Sequence, residues 1–124
     1  MPSLTFVVSG APRTKKTHNR VVRAGHRLVV LPSSAWCAWR DAALPALRQF
    51  AQVRGTVTWP VNCCATFYRD AARGDAVGYY QGLADVLQEG GIVDDDVRLV
   101  SWDGSRLKKD AANPRTVVVL SWQG

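Results

Sequence analysis

The first forty residues contain no acid, and the chain of 124 residues has only three cysteines, two histidines and no long apolar run. Each shortage excludes something. Apolar runs such as Leu28–Leu31 and Val117–Leu120 stop after four residues, against the roughly 18 that a spanning helix needs, so no membrane partner is expected. Ser3–Val8 lacks the basic n-region and small-residue cleavage site of a secretory leader; the expected location is cytoplasmic. Cys37, Cys63 and Cys64 are odd in number and two are adjacent. That suits neither a disulfide framework nor a CxxC metal site, and free thiols in a reducing compartment are the simpler reading. His18 and His26 have no cysteine near them, so a zinc site is not expected. What remains, 47% hydrophobic and 21% charged residues without internal repeats, has the make-up of one globular domain covering residues 1–124.

The net charge of +6 is unevenly spread. Residues 1–40 hold Arg13, Lys15, Lys16, Arg20, Arg23, Arg27 and Arg40, whereas nine of the ten acids lie between Asp70 and Asp110. A protein that binds a polyanion and holds a hard cation against it needs both: lysines and arginines to displace counterions, and carboxylates to ligate the metal. Phosphodiester chemistry fits this arrangement, and so does a solvated basic loop beside a solvated acidic face. Arg13, Lys15, Lys16 and Arg20 have no acid close in sequence, which favours phosphate contact, of the kind that positions DNA without reading its bases.

Pattern and punctuation predict the elements. Ser3–Ser9 reads as a strand ended by Gly10 and Pro12. Val21–Arg23 and Arg27–Leu31 flank Gly25 as a hairpin, which would hold Arg23 and Arg27 close together. Ser33 and Ser34 start a helix whose apolar stripe is Trp36, Trp39, Ala43, Leu47 and Phe50, with Pro45 expected to kink or split it. Gly55–Tyr68 reads as a strand interrupted at Pro60. Asp75 can cap a helix over Ala76–Glu89 with Tyr80, Leu83, Ala84 and Leu87 as its core stripe, stopped by Gly90 and Gly91. Ile92–Asp96 is then a turn, Val97–Trp102 a strand, Trp102–Arg106 a turn and Arg115–Trp122 a closing strand. The expected fold is α+β, a mixed sheet with helices on one face.

Metal-dependent nucleases bring carboxylates to one point, where a divalent cation orients water and neutralises charge on the scissile phosphate. Asp75 and the run Asp94, Asp95 and Asp96 are the candidates. A helix of about fourteen residues spans roughly 21 Å, so they meet only if the chain beyond Gly91 runs back along the helix or forms a strand beside it. Asp75 acting only as a helix cap, with a solvated Asp turn, is the competing reading. In the Trp102–Arg106 turn, Asp103 and Arg106 suit a local ion pair; alternatively Arg106 and Lys109 reach a phosphate.

The ordered series of motifs resembles the RusA family of phage and bacterial Holliday-junction resolvases over nearly the whole chain. The pieces are Gly10-Ala11-Pro12-Arg13-Thr14-Lys15, the Ser33–Arg40 segment, Arg73-Gly74-Asp75, Leu83-Ala84-Asp85-Val86-Leu87, Gly91–Val97, and Lys109-Asp110 with Asn113-Pro114-Arg115. The resemblance implies a RusA-like fold and a homodimer that binds four-way or branched DNA and cuts it with Mg²⁺, Mn²⁺ being the alternative cation. It equates Asp75 and Asp96 with metal ligands and Asp95 with their catalytic neighbour. Arg13, Lys15, Lys16, Arg20, Arg23, Arg27, Arg106 and Lys109 are the expected DNA contacts. Two positions depart: where the family has a second aspartate and a lysine, this chain has Val77 and Gln81. The expected function is thus a Mg²⁺-dependent junction resolvase, the alternatives being a RusA-like binder of branched DNA or of a protein that does not cut, and a small RNA-binding domain.

Overall fold

The computed structural model describes residues 1–15 and 20–124, with Arg20, Val21, Val22 and Val30 described by their backbone alone. The elements follow the order β1 (Ser3–Ser9), β2 (Arg20–Ala24), β3 (Arg27–Leu31), α1 (Ser34–Arg54), β4 (Val61–Arg69), α2 (Ala76–Glu89), β5 (Leu99–Ser101), β6 (Arg106–Lys109) and β7 (Arg115–Ser121), with a 3₁₀ turn over Asp96–Arg98. Strands β1, β7, β4 and β5 lie side by side, and β6 continues the β5 edge along the second half of β4. β4 runs antiparallel to β7 but parallel to β5 and β6, so the sheet is mixed and the fold α+β, as the sequence predicts.

The period of two explains the sheet's single buried face. Phe6 and Val8 of β1, Thr116, Val118 and Leu120 of β7, and Val61, Cys63, Ala65 and Phe67 of β4 are all buried. They meet Trp36, Trp39, Ala43, Leu47 and Ala51 of α1 and Tyr79, Leu83, Val86 and Leu87 of α2. The Trp36 indole donates to the Gly82 carbonyl at 3.3 Å, joining the two helices. At Gly82 a Cβ would stand 3.0 Å from the Arg13 carbonyl and 3.1 Å from the Trp36 indole nitrogen, so glycine permits both the helix contact and the passage of the N-terminal loop.

Several local expectations are corrected. Pro45 does not split α1: it lies on the exposed side with Asp41 and Ala42, so the carbonyl its missing N–H leaves open faces water. The strand expected from Gly55 begins only at Val61; before Pro60, Val57 forms an isolated parallel bridge with Val93. The strand expected over Val97–Trp102 is shortened to Leu99–Ser101 by the 3₁₀ turn, and β6 arises inside a stretch not read as a strand. Its RLKK sequence has no apolar alternation, and only pairing with Thr66–Arg69 makes it one. In α2 the buried aromatic is Tyr79, one position from the expected Tyr80, which instead stacks on Trp102 at 4.6 Å between ring centres. In the hairpin, Arg23 faces Leu28 and Ala24 faces Arg27. Arg23 and Arg27 therefore point to opposite sides of the ribbon rather than together.

Candidate functional site

Asp75 is the N-cap of α2, its Oδ1 accepting from the Gly78 N–H at 2.8 Å. Beyond α2 the chain does run back, as the metal-site expectation required. The Ile92 N–H returns to the Leu87 carbonyl, Asp94 hydrogen-bonds Val57, and the Asp96 N–H donates to Gln88 Oε1 at 2.8 Å. Asp96 thereby reaches a cavity of about 280 Å³ that Val77, Tyr80, Gln81, Ala84, Leu99 and Trp102 also line. So three of the positions that the resemblance equates with metal and catalytic residues, Val77, Gln81 and Asp96, converge there. Only Asp96 brings a carboxylate; Asp75, one turn away at the helix start, is not among the lining residues.

The acids around Asp96 form a graded set. Slight desolvation, a hydrogen bond that the protonated Asp96 carboxyl donates to Asp95, and the charges of Asp95 and Asp85 hold the Asp96 carboxyl above the usual carboxylate range. Asp85 was not singled out from the sequence as a site residue, although a signal was present. With Val77, Gln81 and Gln88 it forms a stripe at helical spacing on α2, facing the returning chain. Its carboxylate is engaged by Lys15 at 2.6 Å. Asp70 and Asp94, two further acids of the acidic segment, are engaged as well. Arg13 donates to both oxygens of Asp70 at 2.8 and 3.0 Å, and Arg98 does the same to Asp94 at 2.8 and 3.0 Å. Mg²⁺ prefers several oxygen ligands around one point. Among the described residues, no three of His, Cys, Asp and Glu gather closely enough to hold an ion. The cavity's donors, one carboxylate and the Gln81 amide, fit such an ion poorly.

The expected DNA contacts separate into groups. Arg13 and Lys15 are not the unpaired cations the sequence suggested, since Asp70 and Asp85 reach them from across the fold. Lys16 lies outside the described residues, as does the side chain of Arg20. Arg23 and Arg27 are exposed on the two sides of the hairpin. Arg106 and Lys109 are exposed on β6. No Asp103–Arg106 pair forms: Asn62 instead holds the turn, accepting from Ser101 Oγ at 2.6 Å and from the Asp103 N–H at 2.8 Å.

The sequence reading missed how β6 enlarges the second cationic group. Register places Arg106 beside Thr66, Lys108 beside Tyr68 and Lys109 beside Arg69, with Arg115 on the other flank of Tyr68. The Arg115 guanidinium lies 3.9 Å from the Tyr68 ring centre, and Arg69 reaches the Arg73 carbonyl. Six cations, Arg69, Arg73, Arg106, Lys108, Lys109 and Arg115, thus crowd the end of β4 around Asp70 and Asp110, which pair with Arg73 and Arg115. The charge of this rim is far from neutralised, and Tyr68 supplies an aromatic face within it. Neither protein-family models nor curated proteins give a match to this chain.

Proposed function

We propose that this chain is a RusA-like protein that binds branched DNA, four-way junctions foremost, through the cationic rim at the end of β4, and holds the DNA without cutting it efficiently. The observation that carries this reading is the cavity shared by Val77, Gln81 and Asp96. The backbone brings the expected site positions together, while valine and glutamine there remove a ligand and a cation that would stabilise charge in the transition state. Phosphate contacts from the rim would recognise shape rather than base sequence. Three free thiols suit a reducing cytoplasm.

The resolvase reading has its own support in the returning chain beyond α2, which brings Asp96 to the cavity that Val77 and Gln81 line. The two readings separate on paired native and denaturing gels of a labelled mobile junction and a linear duplex, each with Mg²⁺, Mn²⁺ or EDTA. The proposal expects a junction shift of equal strength in EDTA and no nicks, with metal-dependent nicking appearing in the V77D/Q81K variant. Symmetric nicks by the unaltered chain that vanish in Asp75→Asn and Asp96→Asn would establish the resolvase instead. Equal binding of junction and duplex would overturn the junction reading, and preference for single-stranded RNA would replace it.

A further inference from the structure

The cavity beside α2 has a lining that neither a phosphate nor a metal ion explains. Val77, Ala84 and Leu99 make its walls apolar, Tyr80 and Trp102 add two aromatic rings, and Gln81 and Asp96 are its polar groups. Among the described residues no lysine or arginine lines it, so the Asp96 carboxylate would repel a phosphate there. Its volume of about 280 Å³ lies at the lower end of ligand pockets and gives room for a small heterocycle. The polar pair is held from the backbone: α2 carries Gln81, and the Asp96 N–H donates to Gln88 Oε1 at 2.8 Å. The exposed Gln81 amide has no hydrogen-bond partner among the described residues, which leaves both a donor and an acceptor for a ligand. The aromatic side continues into the core. Trp102 lies parallel to Tyr80, with 4.6 Å between ring centres and 5° between planes, and Tyr80 in turn meets Phe67 at 5.9 Å. This row of rings begins at the buried Phe67 and ends at half-buried Trp102, so the cavity's aromatic side is rigid. Rigid rings of this kind are what unpaired bases stack upon.

We infer that this cavity takes one unpaired nucleobase from the branch point of the DNA, an amino-bearing base such as adenine or cytosine in preference to thymine. Tyr80 and Trp102 supply the aromatic contact. The Gln81 amide pairs with the base edge as donor and acceptor, and the Asp96 carboxylate accepts from the exocyclic amino group. Thymine has no such group and would set a carbonyl oxygen against the carboxylate. Val77 and Gln81, which spoil a metal site, both suit this role, one as apolar wall and the other as a reader of the edge. The inference rests on the DNA reading and extends it: the rim holds phosphates, and the cavity adds a contact that continuous duplex does not offer. A base leaves the stack at least cost where pairing is already interrupted, which is the case at a branch point. Cavity and rim also adjoin. Trp102 follows β5 and Arg106 opens β6 on the same sheet edge, while the Arg73 carbonyl is tied to Tyr79 at the start of α2.

Gel shifts of the full chain in EDTA test it on immobile junctions that carry one unpaired nucleotide at the crossover: cytosine, thymine or an abasic residue. The cytosine junction should bind about tenfold more tightly than the abasic one, the scale of one stacked base, with thymine between them. That difference should vanish in Ala84→Leu, which fills the cavity. Asp96→Asn, whose amide donates as well as accepts, should remove the preference for cytosine over thymine. On irradiation, a junction with 5-iodocytosine at the crossover should cross-link to Tyr80 or Trp102 of the unaltered chain. Equal binding of the cytosine and abasic junctions, with junction still preferred over duplex, would overturn the inference and leave the DNA reading standing. Loss of the junction preference itself would overturn both. Should Ala84→Leu fail to fold, the cross-link decides: its absence, or its appearance on Tyr68 of the rim alone, would overturn the inference.

Discussion

The N-terminal loop and the rim at the end of β4 are both cationic in sequence, yet the fold treats them in opposite ways. Arg13 and Lys15 come from a stretch without acids and end up paired with Asp70 and Asp85. Arg106, Lys108 and Lys109 come from the acid-rich half and remain exposed, with no ion pair to them among the described residues. Charge segregated along a chain is therefore not charge segregated in space. Opposite charges far apart in sequence attract when packing brings their elements together. Lysines and arginines on an edge strand stay free because burying them unpaired would cost too much.

The contrast is broken most severely at Tyr79, which lies between the two regions. Its ring packs on Phe67 at 5.4 Å between centres, and its hydroxyl donates to the Arg73 carbonyl at 2.8 Å, tying the rim to α2. Tyr79→Ala should cost about 3–5 kcal/mol in urea unfolding, the range for loss of a large buried aromatic. Tyr79→Phe should cost only about 1 kcal/mol, the net value of one hydrogen bond.

Within the folded protein, the rim and the loop should differ in DNA binding. Replacing Arg106, Lys108 and Lys109 by alanine should weaken junction binding by about 1.5–3 kcal/mol, and the salt slope should fall by about 0.9 for each phosphate no longer neutralised. Gel shifts at a series of salt concentrations check both. The R13A/K15A variant should leave that slope nearly unchanged, and an equal fall would restore the loop as a principal DNA-binding element.

The loop's own contribution should appear in stability. Arg13, donating to both oxygens, holds the Asp70 carboxyl at about 2, below its ordinary 3.8. A carboxyl depressed on folding stabilises the protein above its unfolded pKa and loses that contribution as pH falls through its folded pKa. The pair is partly exposed, so the contribution is about 1–2 kcal/mol after screening, and thermal melting between pH 4 and pH 2 should lose it. In Arg13→Ala the Asp70 part of that pH dependence should shrink to what the Arg73 pair supplies.

The smallest effect discriminates between the two roles of Asp75. If it only caps α2, Asp75→Ala should cost about 1 kcal/mol and Asp75→Asn a few tenths, since asparagine caps almost as well. Melting curves measure both. A loss of metal-dependent cutting in Asp75→Asn at unchanged stability would assign it to chemistry instead.

Much of this molecule was legible before its structure. Ser3–Ser9 and Ala76–Glu89 have the predicted bounds, because strand alternation, an Asp cap and a Gly-Gly stop are local signals acting on neighbouring residues. β6 was not, since its strand character comes from β4 and not from its own residues. Which tyrosine enters the core was also misread: Tyr79 and Tyr80 are adjacent, and the turn of a helix against a sheet is settled by what it packs upon. In the site, sequence placed Asp96 but passed over Asp85, whose proximity depends on the chain doubling back along α2.

By itself, then, the sequence determined the α+β class, the positions of most elements, and the absence of a carboxylate and a lysine at Val77 and Gln81. These follow from residue chemistry and local spacing. Only the tertiary structure decided which cations are neutralised, and that Val77, Gln81 and Asp96 share one cavity. Those depend on segments distant in sequence meeting in space, where packing rather than local preference sets the geometry.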